Sequence, residues 1–171
     1  MSRVDFYLLS DESNTHKFAC IMVSKAWSAG NNVYVYTDSE DITNKIDSLL
    51  WTFRDISFIP HEIYNEKENS EAPVTIGYGD HYPSHSQVMI NLNNKIPEFA
   101  NNFNRIVEIV ENNEKKKEIA RERYREYKKN NYEIHNHKID NLNKQINALD
   151  NKLKNKAYIK NAPKEIVQND K

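Results

Sequence analysis

The feature that most constrains the fold of this chain is a strand–helix–strand–helix order in its first 50 residues. Residues 4–9 are apolar except for Asp5 and are typical of a buried strand, and residues 33–37 are rich in β-branched and aromatic side chains. A helix should follow each strand, capped first by Asn14 or Thr15 and then by Ser39. Because such units connect by right-handed crossovers, the order predicts a mostly parallel sheet.

Further elements complete a predicted α/β domain over residues 1–130. We expect a three-layer fold in which helices cover both faces of the sheet. The predicted elements are strands near 58–59, 74–78, 88–92 and 105–110, a short helix over 97–104, and a helix over 114–129.

The composition changes beyond residue 130. Residues 131–171 are rich in Asn, Lys and Asp, and we interpret them as a polar C-terminal extension. An a/d pattern of apolar residues predicts a short amphipathic helix over about 139–156. Its apolar positions are Ile139, Leu142, Ile146, Leu149 and Leu153.

Composition and motifs argue against several classes of function. The net charge of −1 gives no global attraction to nucleic acid, and the lone Cys20 excludes an internal disulfide. The three glycines form no phosphate-binding loop, so we expect no nucleotide cofactor.

His81 and His85 lie in a loop without a nearby cysteine or acidic cluster, so we expect no metal site. No catalytic residues stand out, and no run resembles a signal peptide or membrane span, so we expect a cytoplasmic, non-enzymatic protein.

The helix over 114–129 is the strongest candidate for a binding site. It carries eight Lys or Arg against four Glu, a local charge of about +4 on a nearly neutral chain. Helical spacing places one aromatic and four cationic side chains on one face. These are Lys117, Arg121, Tyr124, Arg125 and Lys128. Such a face suits a carboxylate next to an apolar side chain, as in an acidic peptide tail, although a solvated helix of alternating charge is the alternative.

Two aromatic residues lie outside that helix. Phe58 precedes Pro60, which favours the edge of a sheet, so Phe58 is a candidate partner contact. Trp51 ends the second helix, where core packing and partner contact are both open.

Several segments, in order from about residue 3 to residue 130, resemble the chi subunit of bacterial DNA polymerase III. The specific parts are Ser-Phe-Ile-Pro-His at 57–61 and Ala-Arg-Glu-Arg-Tyr-Arg at 120–125. Less specific matches are the strand at 6–9, Cys20, Trp27, Gly30, Leu50, Trp51 and residues 72–74.

The resemblance implies a non-catalytic accessory subunit of the clamp-loader assembly, with a nucleotide-binding-like fold that lacks a phosphate loop. Members of the family bind the acidic, Phe-ending C-terminal tail of single-stranded-DNA-binding protein. They also bind the psi subunit of the clamp loader, or a repair helicase, and so reach DNA indirectly. The implied tail pocket consists of Val110, Lys117, Arg121, Tyr124 and Arg125. The implied psi or helicase contact consists of Trp51 and Phe58.

The chain departs from the family pattern at three positions. Arg125 stands where the pattern has Lys, Glu111 where it has Pro, and Gln87 where it has Asp. Two other functions stay open. One is direct binding of single-stranded nucleic acid through the basic helix, with stacking on Tyr124. The other is a nucleotide-dependent enzyme with a degenerate loop.

Overall fold

The computed structural model of the chain describes residues 2–10, 14–54, 58–68 and 70–139. These residues form seven strands, three α-helices and a short 3-10 helix over Glu98–Asn102. The strands are β1 (Arg3–Leu9), β2 (Val33–Tyr36), β3 (His61–Ile63), β4 (Val74–Gly77), β5 (Val88–Asn91), β6 (Arg105–Val110) and β7 (Glu133–Ile139). The helices are α1 (Thr15–Ser28), α2 (Glu40–Thr52) and α3 (Glu114–Lys129).

The seven strands form one sheet in the order β3-β4-β2-β5-β6-β1-β7, and every pairing is parallel. The connections through α1 and α2 run toward the β3 edge, whereas the connection through α3 runs toward β7. Right-handed crossovers in opposite directions place their helices on opposite faces of a sheet. The predicted three-layer α/β fold is therefore confirmed.

Successive side chains of a strand point to opposite faces of the sheet and so contribute to the two core layers in turn. Val33 and Val35 of β2 pack with α1 and α2, while Tyr34 and Tyr36 pack with α3 and the 3-10 helix. All four side chains are buried, because a central strand of a parallel sheet is covered on both faces.

The ends of the helices follow local signals in the sequence. Gly30 closes α1 with a φ of 90°, and the Asn31 amide donates to the carbonyl of Ala26 at 3.1 Å. This is the Schellman arrangement, in which glycine adopts the left-handed conformation without strain. Asn113 caps α3 by accepting from the amides of Lys115 and Lys116, so α3 spans the predicted 114–129.

The sheet continues past the predicted boundary at residue 130. After α3 the chain turns at Asn131, whose φ is 63°, and enters β7, which pairs with β1 along its whole length. Ile139, the first residue of the predicted amphipathic helix, ends this strand instead. Residues 140–171, which include the rest of that predicted helix, lie outside the described residues. The division into an α/β domain over residues 1–130 and a polar extension over 131–171 stays a prediction, although β7 pairs residues 133–139 of that extension with β1.

Buried Asp5 connects the three strands at this side of the sheet. Its carboxylate accepts from Arg3 at 2.8 and 2.9 Å, from Arg105 of β6 at 2.7 Å and bonds to His137 of β7 at 2.7 Å. Burial raises the pKa of Asp5, but the bonds from these side chains outweigh it and bring the pKa to about 2. The ring of His137 also stacks on Tyr7, with 4.5 Å between centroids. Together these contacts fix β7 in place.

Candidate functional site

A groove of about 590 Å³ lies between α3 and the β7 edge of the sheet, and we call it the α3–β7 groove. Its floor consists of Phe6 and Leu8 of β1 and Val110 of β6. Leu8 pairs with Val110 across the sheet, so these side chains point to the face that α3 covers. The floor is therefore apolar and belongs to the rigid core.

Helix α3 forms one wall of this groove. Four side chains on one side of the helix line the groove, as their spacing along α3 requires. They are Lys117, Ala120, Arg121 and Tyr124. The ring of Tyr124 packs at 5.5 Å from that of Phe6, so one part of the ring is held by the core. Arg121 is exposed, and Lys117 lies 3.7 Å from the carboxylate of Glu114. This wall offers two cations above an apolar surface.

The structure brings together four of the five residues predicted for the tail pocket: Val110, Lys117, Arg121 and Tyr124. Arg125 is exposed one turn further along α3, outside the groove lining. Because it follows Arg121 by four residues, it continues the same cationic side of the helix.

Strand β7 forms the opposite wall, where Asn136 and Lys138 share the sheet face of Phe6 and Leu8 and His137 lies between them. The sequence analysis did not identify these three residues. Asn136 pairs with Phe6 and Lys138 with Leu8, so both share the sheet face of the groove floor. Asn, His and Lys have no strong preference for strands, and the isoleucines at 134 and 139 were the sole local signal.

Glu111 does not place its carboxylate in the groove. Its Oε1 accepts a hydrogen bond from Thr15 of α1 at 2.8 Å, and the residue is absent from the groove lining. The acidic side chain at this position of the family pattern is thus turned toward α1.

A buried network behind the groove anchors α3 to the sheet. Glu108 accepts from Arg123 at 3.0 Å, from Tyr127 at 2.7 Å and from Asn91 at 2.8 Å. Burial raises the pKa of Glu108, and the Arg123 guanidinium opposes that shift. Every partner atom is provided within the fold, which satisfies the buried carboxyl group. Arg123 therefore serves the core, although it lies within the segment that resembles the chi family.

Trp51 and Phe58 form a second exposed site, which we call the aromatic surface. Their rings lie 5.6 Å apart, and the residues are 54% and 63% exposed. Trp51 therefore lies at the surface and is not a core residue. Phe58 directly precedes the segment that enters β3, the opposite edge strand of the sheet.

His61 supports the aromatic surface from below. Its side chain is buried, and its ring centroid lies 4.6 Å from that of Trp51. Nδ1 lies 2.6 Å from the carbonyl oxygen of Ile59, and Nε2 lies 3.2 Å from that of Asp47. The ring thus joins the start of β3 to α2. Apart from its place in the segment that resembles the chi family, no pattern in the sequence predicts this role.

The described residues show no grouping of three or more His, Cys, Asp or Glu side chains that would hold a metal ion. Each helix in this part of the chain is too short or too polar to cross a bilayer. Burial raises the pKa of the Cys20 thiol to about 12, so the thiol belongs to the core rather than to a reactive site.

The fold and the groove together define a class: a three-layer α/β protein with a cation-rimmed, apolar groove at one edge of a parallel sheet. The family model described as "DNA polymerase III chi subunit, HolC" matches residues 1–135. The chain therefore belongs to the DNA polymerase III chi subunit family, which associates it with the polymerase III holoenzyme and DNA replication.

Curated relatives agree with this assignment. The DNA polymerase III subunit chi of Pseudomonas aeruginosa is 35% identical over 144 residues, which cover 83% of this chain and 100% of the relative. The proteins of the same name from Haemophilus influenzae and Escherichia coli are 29% and 28% identical. They match over 71% and 75% of this chain, and over 86% and 92% of their own lengths.

Proposed function

We propose that this protein is a non-catalytic accessory subunit of the clamp-loader assembly that binds two protein partners at opposite edges of its sheet. The α3–β7 groove binds the acidic C-terminal tail of single-stranded-DNA-binding protein. The aromatic surface binds the psi subunit of the clamp loader or a repair helicase. The observation that carries the first assignment is an apolar floor directly next to a cationic rim.

The chemistry of the groove suits the end of an acidic chain that finishes in an aromatic residue. The apolar floor of Phe6, Leu8 and Val110 accepts the terminal ring, and burial of such a ring contributes a few kcal/mol. Arg121 provides a planar guanidinium for bidentate binding of the terminal carboxylate. Lys117 adds a second charge on the same wall.

The aromatic surface suits an apolar anchor from a partner. Exposed aromatic residues in contact with each other are typical centres of protein interfaces. The surface belongs to α2 and the β3 edge, whereas the groove belongs to α3 and the β7 edge. The two partners therefore bind without sharing a residue.

The structure favours a peptide over direct binding of single-stranded nucleic acid. Nucleic-acid binding by stacking needs an open aromatic face, but Tyr124 is half-buried against Phe6. The groove also has an apolar floor rather than a continuous cationic track.

A paired titration tests the proposed function. By calorimetry, the full chain should bind a synthetic tail peptide of the host single-stranded-DNA-binding protein, and bind a bare oligothymidylate at least tenfold more weakly at the same salt concentration. Preferential binding of the oligonucleotide would establish the alternative function instead.

A further inference from the structure

Lys138 of β7 stands at the end of a row that crosses three strands under the groove. Val110 of β6 pairs with Leu8 of β1, and Leu8 pairs with Lys138. The row therefore consists of two apolar side chains followed by a cationic one. Neighbouring strands lie about 4.8 Å apart, so Lys138 begins roughly 10 Å from Val110 across the sheet.

The register that places Lys138 on this face is fixed from the other side of the sheet. His137 bonds to Asp5 at 2.7 Å and stacks on Tyr7, both on the face away from α3. A slip of β7 by one residue would break these contacts and turn Lys138 away from the groove. Contacts of buried Asp5 thus determine the orientation of an exposed cation.

The cations of the groove consequently stand on two sides. Lys117 and Arg121 rise from α3, while Lys138 rises from the β7 wall. The described lining of the groove includes no Asp or Glu. A ligand that lies between the walls meets positive charge on both sides of the apolar floor.

We propose that Lys138 is a specificity-determining residue of the groove, binding a side-chain carboxylate of the tail upstream of the terminal carboxylate that Arg121 binds. This inference rests on the proposed function. Across the sheet, Lys138 lies roughly 10 Å from Val110, beside which the terminal ring of the tail packs. An extended peptide advances about 3.3 Å per residue, so this span corresponds to about three residues. The groove therefore selects tails with an acidic residue about three positions before the C-terminus, not merely tails with negative charge.

A double-mutant cycle tests the proposal. The full-chain variant Lys138→Gln keeps the length of the side chain but removes its charge, and Lys129→Gln is the matched control on the exposed last turn of α3. The probe is the synthetic tail peptide, with its acidic residues changed one at a time to the corresponding amides. Binding is measured by calorimetry at two salt concentrations, and circular dichroism verifies the fold of each variant.

Lys138→Gln should weaken peptide binding about three- to fivefold and make it less sensitive to salt, as expected for one partly exposed ion pair. The loss should disappear when the peptide acid about three residues from the end is already an amide. Lys129→Gln should bind like the parent.

Two outcomes would overturn the proposal, and they are distinguishable. If the parent binds the peptide but Lys138→Gln matches Lys129→Gln, or couples to no single acid, the role of Lys138 is wrong and the proposed function stands. If the parent does not bind the peptide, the proposed function fails and the role of Lys138 fails with it.

Discussion

At the scale of single residues, a comparison of Arg121 with Arg125 tests whether the groove, and not the whole cationic face of α3, binds the tail. Both are exposed arginines on α3, but Arg121 lines the groove and Arg125 lies outside it. Arg121→Ala should weaken tail binding at least about tenfold, because a charge-assisted bond to a carboxylate contributes about 1.5–3 kcal/mol. Arg125→Ala should cost less than about threefold. Calorimetry with the tail peptide measures both, and equal losses would extend the site along α3.

Asp5 gives the fold a defined response to acid. Its pKa is about 2, below the unfolded value of 3.8, so the carboxylate form stabilises the folded state. This contribution is complete above about pH 4 and is lost as the pH falls toward 2. It amounts to about 2 kcal/mol.

Urea denaturation of parent and Asp5→Asn at pH 6 and pH 3 checks this prediction. The parent should be more stable than Asp5→Asn at pH 6, and the difference in their free energies of unfolding should be smaller at pH 3. Asp80→Asn, at an exposed position, should match the parent at both values. A difference that does not change with pH would show that packing, and not ionisation, accounts for the effect of Asp5.

At the scale of elements, the two walls of the groove differ in how far the sequence predicts them. Helix α3 follows from its good helix formers and from the absence of Gly and Pro, so its bounds and its cationic face were predicted. Strand β7 depends on long-range contacts such as that between His137 and Asp5, which no local pattern reveals. The α3 wall of the groove could therefore be predicted from the sequence. Asn136 and Lys138 of the β7 wall were missed, because their strand depends on these long-range contacts.

A substitution near the β3 edge should weaken binding of one proposed partner without affecting the other. Phe58→Ala should weaken binding of the psi subunit by about 2 kcal/mol, or roughly thirtyfold, because the ring is an exposed aromatic anchor. Tail binding should be unchanged, since α3 and β7 do not carry this residue. Surface plasmon resonance with psi and calorimetry with the tail measure the two activities, and Tyr78→Ala is a control at another exposed aromatic. Equal loss of both would mean that Phe58 supports the fold.

At the scale of the whole molecule, β7 is an edge strand of the sheet and the last element that the structure describes. A chain cut after residue 139 keeps the seven described strands, whereas a cut after residue 130 removes β7 and leaves Asp5 without His137. The longer fragment should fold and bind the tail peptide. The shorter one should have a lower melting temperature by circular dichroism and no measurable tail binding. If the fragment ending at residue 130 binds like the longer one, the second wall of the groove is dispensable.

The central claim is that an acidic tail binds between α3 and β7, away from the aromatic surface. Titrating the tail peptide into the ¹⁵N-labelled full chain and following its amide and indole signals by nuclear magnetic resonance tests this claim most directly. The account predicts concentration-dependent shifts at Leu8, Val110, Tyr124 and Lys138, while the indole signal of Trp51 stays in place. Shifts centred on Trp51 and Phe58, with the signals of the groove unchanged, would contradict it.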